Sequence, residues 1–286
     1  MKRFVLALCC IAMMFLAGCS SSSKSSSNNI NGVFADAPVV GLSYSCGSTK
    51  AVTGSGGAFT CPSNSTVTFT VGGVTICSAP TQAFMTPVSC AQANGNPSAN
   101  ASTTSVYQTA QFVISIGTPS GTTPGSLSTL TITSAELQAA SGVSLDFSTA
   151  TQGDLQTAVT TINPGQTLAS EGTAQDELTG TVVTIEAGTY SGSWTGGGNS
   201  GTWTATVDTS GNISGTLALP NGGTGTISGA LAYATTFDGA CGGSDWYGTW
   251  VGTLNTSQPP TTGKGPYLFS GTWTDTTQGT NGTFTN

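Results

Sequence analysis

The side chains of this chain that could do chemistry are its cysteines, a thin set of carboxylates and five tryptophans. Gly239-Ala240-Cys241-Gly242-Gly243 sets a thiol at the centre of a Gly-x-nucleophile-x-Gly outline. Such a nucleophile needs a base, and the chain contains no histidine. Cys241 therefore reads as a spare thiol in a glycine-rich loop. Ser21-Ser22-Ser23-Lys24 has Ser-x-x-Lys spacing, but in a serine tract where nothing would hold its geometry. Glu136, Asp146, Asp154, Glu171, Asp176, Glu177 and Glu186 gather in one segment. Two of them side by side would suit glycoside hydrolysis, yet no spacing pairs them. Helix N-terminal turns and solvated faces, which suit negative charge, are the simpler reading. Asp208, Ser210 and Asn212 supply part of a calcium loop without its other ligands or terminal Glu, and read as a hairpin turn. There is no Cys-x-x-Cys and no His-containing zinc pattern. The expectation is a protein with no catalytic residues, no metal and no cofactor.

The N-terminus says where such a protein would live. Lys2-Arg3 precede the apolar run Phe4 to Ala17, then Leu16-Ala17-Gly18-Cys19, then the polar tract Ser20 to Ser27. That order is a basic region, an apolar region, small residues and a cut. The apolar run falls short of the ~20 residues that cross a bilayer. Leu-Ala-Gly-Cys resembles the lipobox of bacterial lipoproteins at every position. The resemblance implies diacylglycerol on the Cys19 sulfur, cleavage before Cys19 and an acyl chain on the new amino group. Two or more acyl chains anchor stably where one does not. In that family an Asp after the cysteine favours inner-membrane retention, so Ser20 points to the outer membrane. The membrane would then be reached through the N-terminal lipid, with the displayed face open. Residues 1–18 read as signal peptide and 19–31 as a lipidated, Ser-rich tether.

Composition narrows the partners. Charged residues are 6% of the chain, against ~25% in a typical soluble protein. Beyond the signal there are three lysines, no arginine and twelve acids. That balance excludes nucleic acid, which needs clustered Lys and Arg for its phosphates. It also disfavours acidic membrane surfaces. Five cysteines follow the lipobox: Cys46, Cys61, Cys77, Cys90 and Cys241. An exported chain meets an oxidising compartment, where disulfides form, and an odd count leaves one thiol over.

Residues 32–98 carry strand signals. Val67, Phe69 and Val71 alternate with Thr66, Thr68 and Thr70. Leu42, Tyr44 and Cys46 share one face, Phe59 and Cys61 another, with Gly54 to Gly57 turning between them. Four cysteines allow three pairings; Cys46–Cys61 with Cys77–Cys90 is the most local. Asp36-Ala37-Pro38-Val39-Val40-Gly41-Leu42-Ser43-Tyr44, Gly57-Ala58-Phe59 and Val67 to Gly72 resemble a module at the head of many proteobacterial lipoproteins and surface proteins. More distantly they are similar to the carboxypeptidase-regulatory-like β-sandwich. The resemblance implies a structural or adhesive sandwich with no catalytic residues. The Asp that usually precedes Gly-x-Phe is replaced by Ser55-Gly56-Gly57, which removes the case for an ion at that turn.

From 99 to 186 the period becomes helical. Val106, Ala110, Val113 and Ile114 lie on one face; Ser134 could cap Ala135 to Ala140. Thr151 or Gly153 could open a helix through Leu155, Val159 and Ile162, and Ala174 to Val182 suggest another. From 187 to 286 a Gly-x-apolar pattern recurs, as in Ser200-Gly201-Thr202-Trp203 and Ser270-Gly271-Thr272-Trp273. Trp203, Ala205 and Val207 face one way and Thr202, Thr204 and Thr206 the other; Ile227, Gly229, Leu231 and Tyr233 are expected to share an inner face. Glycine on that face makes room for a large neighbour in a curved sheet. Seven or eight antiparallel strands, curled or closed, are expected. The meander resembles those ending many exported bacterial proteins, which implies no chemistry.

The reading is a mainly β protein: a small N-terminal β-sandwich, a short helical middle segment and a C-terminal antiparallel β-meander or small up-and-down barrel. Its expected role is envelope structural or surface interaction, with an envelope protein or glycan as partner. The alternative is a glycan- or small apolar ligand-binding module in the C-terminal domain; a carboxylate-based hydrolase is third. All five tryptophans fall after residue 187. They would either fill the inner face or stack on a flat ligand. Trp246 and Tyr247, beside the loop from Asp238 to Asp245, form the least core-like place and the expected ligand contacts.

Overall fold

A computed structural model describes residues 29–120 and 129–286. The lipobox, Cys19, and the tether as far as residue 28 lie outside the described residues. The chain runs β1 (Asn29–Phe34), β2 (Val39–Val40), β3 (Ser43–Cys46), β4 (Thr49–Val52), β5 (Ala58–Pro62), β6 (Thr66–Val71), β7 (Val74–Pro80) and β8 (Phe84–Met85). The order β4-β3-β6-β7 makes one sheet and β5-β1-β8 another. Alternation places Tyr44, Phe59, Phe69 and Phe34 inside, with Phe34 and Phe69 rings 4.7 Å apart and Phe59 edge-on to Phe69 at 5.1 Å. Two disulfides close the local rings, Cys46–Cys61 and Cys77–Cys90.

Helices follow: α1 (Pro87–Ala93), α2 (Thr104–Ile116), α3 (Ser134–Ala139), α4 (Gln152–Ile162) and α5 (Glu171–Glu186). Between α2 and α3, β9 (Thr118–Ser120) and β10 (Thr129–Thr131) form a small sheet with β2. Capping boxes start three helices, at Thr86/Ser89, Thr133/Glu136 and Thr151/Asp154. Each satisfies two otherwise orphaned backbone donors. Thr133, rather than Ser134, caps α3. The helices share the sandwich's apolar core: Phe112, Val113, Ile116, Leu155 and Val159 join Phe34, Val39 and Phe69 in it. Helix α5 carries Ala174, Leu178 and Val182 to a second cluster with Ala99, Val106 and Ala110.

Eight strands then close into an antiparallel barrel: β11 (Gly188–Gly196), β12 (Asn199–Val207), β13 (Asn212–Ala218), β14 (Thr224–Tyr233), β15 (Thr236–Gly242), β16 (Tyr247–Asn255), β17 (Leu268–Asp275) and β18 (Thr280–Thr285). Each pairs with its sequence neighbour, and β18 returns to β11 through Ser193↔Thr285 and Trp194↔Phe284. Closure leaves no edge strand to aggregate. Threonines face out and large apolar side chains face in, the reverse of a lipid-facing barrel. The glycines answer for the inward aromatics: a Cβ on Gly229 would stand 2.4 Å from the Trp250 ring, and one on Gly282 2.7 Å from that of Trp273. Tyr233 departs from the expected inner face. The β14–β15 register shifts between Leu231 and Tyr233, which turns Tyr233 outward, 58% exposed.

The barrel's two ends differ. The ends of β12, β14 and β16 meet the sandwich and helices. Thr235 donates to the Ala99 carbonyl (2.9 Å), and the Gln92 amide bridges the Leu254 carbonyl (3.0 Å) and the Thr256 N–H (2.8 Å). Ala234 is fully buried in the cluster of Ala99, Val106 and Leu178. The opposite end, made of four tight hairpins, points away from that body.

Candidate functional site

The barrel interior is divided by Phe269. Below it, towards the helices, Tyr190, Phe237 and Leu254 are fully buried. Phe269 is the hub of an edge-to-face set, with ring centroids 5.8 Å from Tyr190, 5.9 Å from Phe237, 5.7 Å from Trp203 and 5.3 Å from Phe284. Above it the interior is open: a cavity of about 330 Å³ whose floor and wall include Trp203, Leu217, Ile227, Trp250, Phe269 and Phe284. All five tryptophans line it, as do the rim residues Asn199, Asn221 and Gln278 from the distal hairpins. The volume is at the lower end of small-molecule sites, and an eight-stranded barrel is the size that can hold one small ligand.

The indoles are held in two ways. Trp194, Trp203 and Trp250 donate their ring N–H to strand carbonyls: Ala218 on β13 at 3.1 Å, Ser193 on β11 at 3.1 Å and Ser228 on β14 at 3.1 Å. The ring N–H groups of Trp246 and Trp273 are buried with no hydrogen-bond partner. An unpaired buried donor costs about 1–3 kcal/mol. These two rings are held by packing alone, and both stand at the mouth.

Of the ligand contacts expected from sequence, only Trp246 lines the cavity. Tyr247 is 56% exposed beside a shallow groove on the barrel's outside, Asp238 faces outward from β15, and Asp245 is exposed in the β15–β16 turn. The wall itself was visible in the Gly-x-apolar repeat, but a strand pattern gives the inward face without telling whether that face is filled.

Cys241 lies buried in the wall, and its thiol is pushed up to about 11 by burial and by Asp275. That is the opposite of an activated nucleophile. Asp208 accepts from the N–H groups of Ser210 and Asn212, both at 2.8 Å, which makes it the keystone of a turn. Its hydrogen bonds, first that from the Asn212 side chain, hold its carboxyl below the usual range. Among the seven grouped acids, Glu136 and Asp154 are capping-box members and Asp146 holds the Ser148 turn. Glu186 is fully buried at the junction of α5 and the barrel, its carboxyl unpartnered and raised well above the usual range by burial. Tyr190 donates to the Glu186 carbonyl at 2.7 Å. Asp36 is likewise buried and unpartnered, raised by burial and by the charge of Glu177. Among the described residues no three His, Cys, Asp or Glu side chains group to hold a metal ion.

No protein-family model matches the chain, and no curated protein matches it in sequence.

Proposed function

We propose that this chain is a non-catalytic, lipid-anchored protein of the outer membrane whose C-terminal barrel binds a small, mainly apolar ligand. The observation that carries the reading is the half-filled barrel. Protein interiors pack as densely as organic crystals, and the lower half, with Tyr190, Phe237 and Leu254, shows that this sequence can fill a barrel. The upper half sets five indoles around open space. A purely structural barrel has no use for that space. Polar rim and apolar wall favour an apolar guest over a glycan, which needs hydrogen bonds along its length. The sandwich body at the other end serves as pedestal, and the mouth faces away from it.

Neutral aromatic compounds should raise the thermal midpoint of the barrel in proportion to the logarithm of their concentration, as a site confined to the folded state requires. A panel with no shift at any concentration would count against the cavity as a site. The anchor rests on Leu16-Ala17-Gly18-Cys19. Cys19→Ser should move the protein out of the membrane fraction or leave it unprocessed; unchanged fractionation and processing would remove the anchor from this reading.

A further inference from the structure

We propose that the barrel's ligand is a small organic cation with an apolar body, such as a quaternary ammonium or a flat aromatic cation. This deepens the proposed function and rests on the cavity being a ligand site. The inward row of β17 reads Phe269, Gly271, Trp273, Asp275. Strand alternation thus brings a carboxylate into the same wall as the indoles. Asp275 is 6% exposed and lines the cavity. Its Oδ1 accepts the N–H groups of Thr277 (2.7 Å) and Gln278 (3.0 Å), which fix the carboxylate at the mouth. A buried carboxylate calls for a positive partner, and the wall supplies none. The described residues include two basic side chains, Lys50 and Lys264. Lys50 is on β4 of the sandwich; Lys264 is bridged by its backbone to Ser191, near the barrel's closed end. Neither lines the cavity.

The indoles point to the same sign of charge. The face of an aromatic ring is negative, and a cation within about 6 Å of a Trp centroid is attracted, more strongly when desolvated. Five indoles with one carboxylate and no ammonium or guanidinium make a cage that favours cations over neutral isosteres. The same wall rejects fatty acids and other anions, whose charge would be buried against Asp275. The acidic excess of the whole chain adds long-range attraction for a cation.

The test uses the full chain and three benzyl probes: benzyltrimethylammonium, its neutral isostere neopentylbenzene, and the anion phenylacetate. Binding is read by calorimetry and tryptophan emission. The cation should bind about tenfold or more tighter than the neutral compound, and the anion most weakly. Asp275→Asn, which keeps an oxygen for the Thr277 and Gln278 N–H groups, should remove most of the cation's advantage and leave neutral affinity unchanged. Neutral binding equal to or tighter than cation binding overturns this inference and leaves the cavity reading intact. Binding by none of the probes overturns both. The comparison among probes on the unaltered chain stands whatever Asp275→Asn does to folding.

Discussion

The sandwich with its helices and the barrel solve the problem of a sparsely charged chain in opposite ways. The first region staples itself with two disulfides, fills its core with Phe34, Phe59, Phe69 and Phe112, and encloses two carboxyls, Asp36 and Glu186, that find no partner. The barrel has no disulfide and one free thiol. Its order comes from a closed ring of hydrogen-bonded strands, and it leaves a cavity of about 330 Å³ in its interior. A sandwich must be packed to persist, because packing is what joins its sheets. A closed barrel is joined by its ladders, so it can hold a cavity and remain one sheet. The division of labour follows: pedestal below, receptacle above.

The two regions carry separate spectroscopic reporters, since the described α-helices precede residue 187 and every tryptophan follows it. The largest effect should come from the disulfides. Each closes a ring of about 15 residues, worth about 3 kcal/mol on the chain-entropy model. Replacing Cys46, Cys61, Cys77 and Cys90 by Ser should bring the helical circular dichroism transition to much lower denaturant. Tryptophan emission should move far less. Coincident shifts would show a single cooperative unit and break the comparison.

Next is Trp203→Ala. Its ring is 5% exposed, edge-on to Phe269 and Phe284, and bonded to the Ser193 carbonyl. Truncating a packed aromatic costs about 3–5 kcal/mol, here in the emission transition and not in the helical one. Trp246→Ala, at the mouth without a hydrogen bond, should cost clearly less stability and more ligand affinity. Equal losses of stability would mean that the mouth ring is as much core as the floor ring.

A pH effect comes from the two buried carboxyls, one in the first region and one at its junction with the barrel. Asp36 and Glu186 keep their protons when folded, while the unfolded chain loses them above about pH 4. The native state then binds more protons, so stability is fullest below that pH. It falls as pH rises towards the folded values. Asp36→Asn with Glu186→Gln should flatten the decline above about pH 4 in the helical signal. A slope identical to that of the parent chain would mean that these carboxyls ionise without penalty.

Local pattern made much of this legible. The alternation of Leu42, Tyr44 and Cys46 and of Phe59 and Cys61 put two thiols on inward faces, and Cys46–Cys61 forms, though it links β3 of one sheet to β5 of the other and not two paired strands. The Trp203-Ala205-Val207 phase gave the barrel's inner face. What the sequence hid was tertiary. Closure of β18 onto β11 spans nearly a hundred residues, and no local signal marks it. The helical face of Val106, Ala110, Val113 and Ile114 announced that it would be buried, but not that it would be divided between the sandwich core and a second cluster. Tyr233 shows how one bulge overturns alternation. The cavity was hidden for the deepest reason: volume inside a closed sheet depends on how rings from eight strands meet, and periodicity reports direction alone. Asp275 falls two positions after Trp273 in the same alternation, so its face follows from the pattern, but nothing local says that this face borders open space.

The half-filled barrel is tested most directly with a neutral fluorescent probe, N-phenyl-1-naphthylamine, titrated into the full chain. Its emission should rise with one-to-one stoichiometry, with energy transfer from the surrounding indoles. Ile227, a partly buried residue of the cavity wall, offers the control. Ile227→Trp should occupy the space, preserve the fold by circular dichroism, and abolish both signals. Binding that persists unchanged in a folded Ile227→Trp chain, or no binding to the parent chain, would contradict the account.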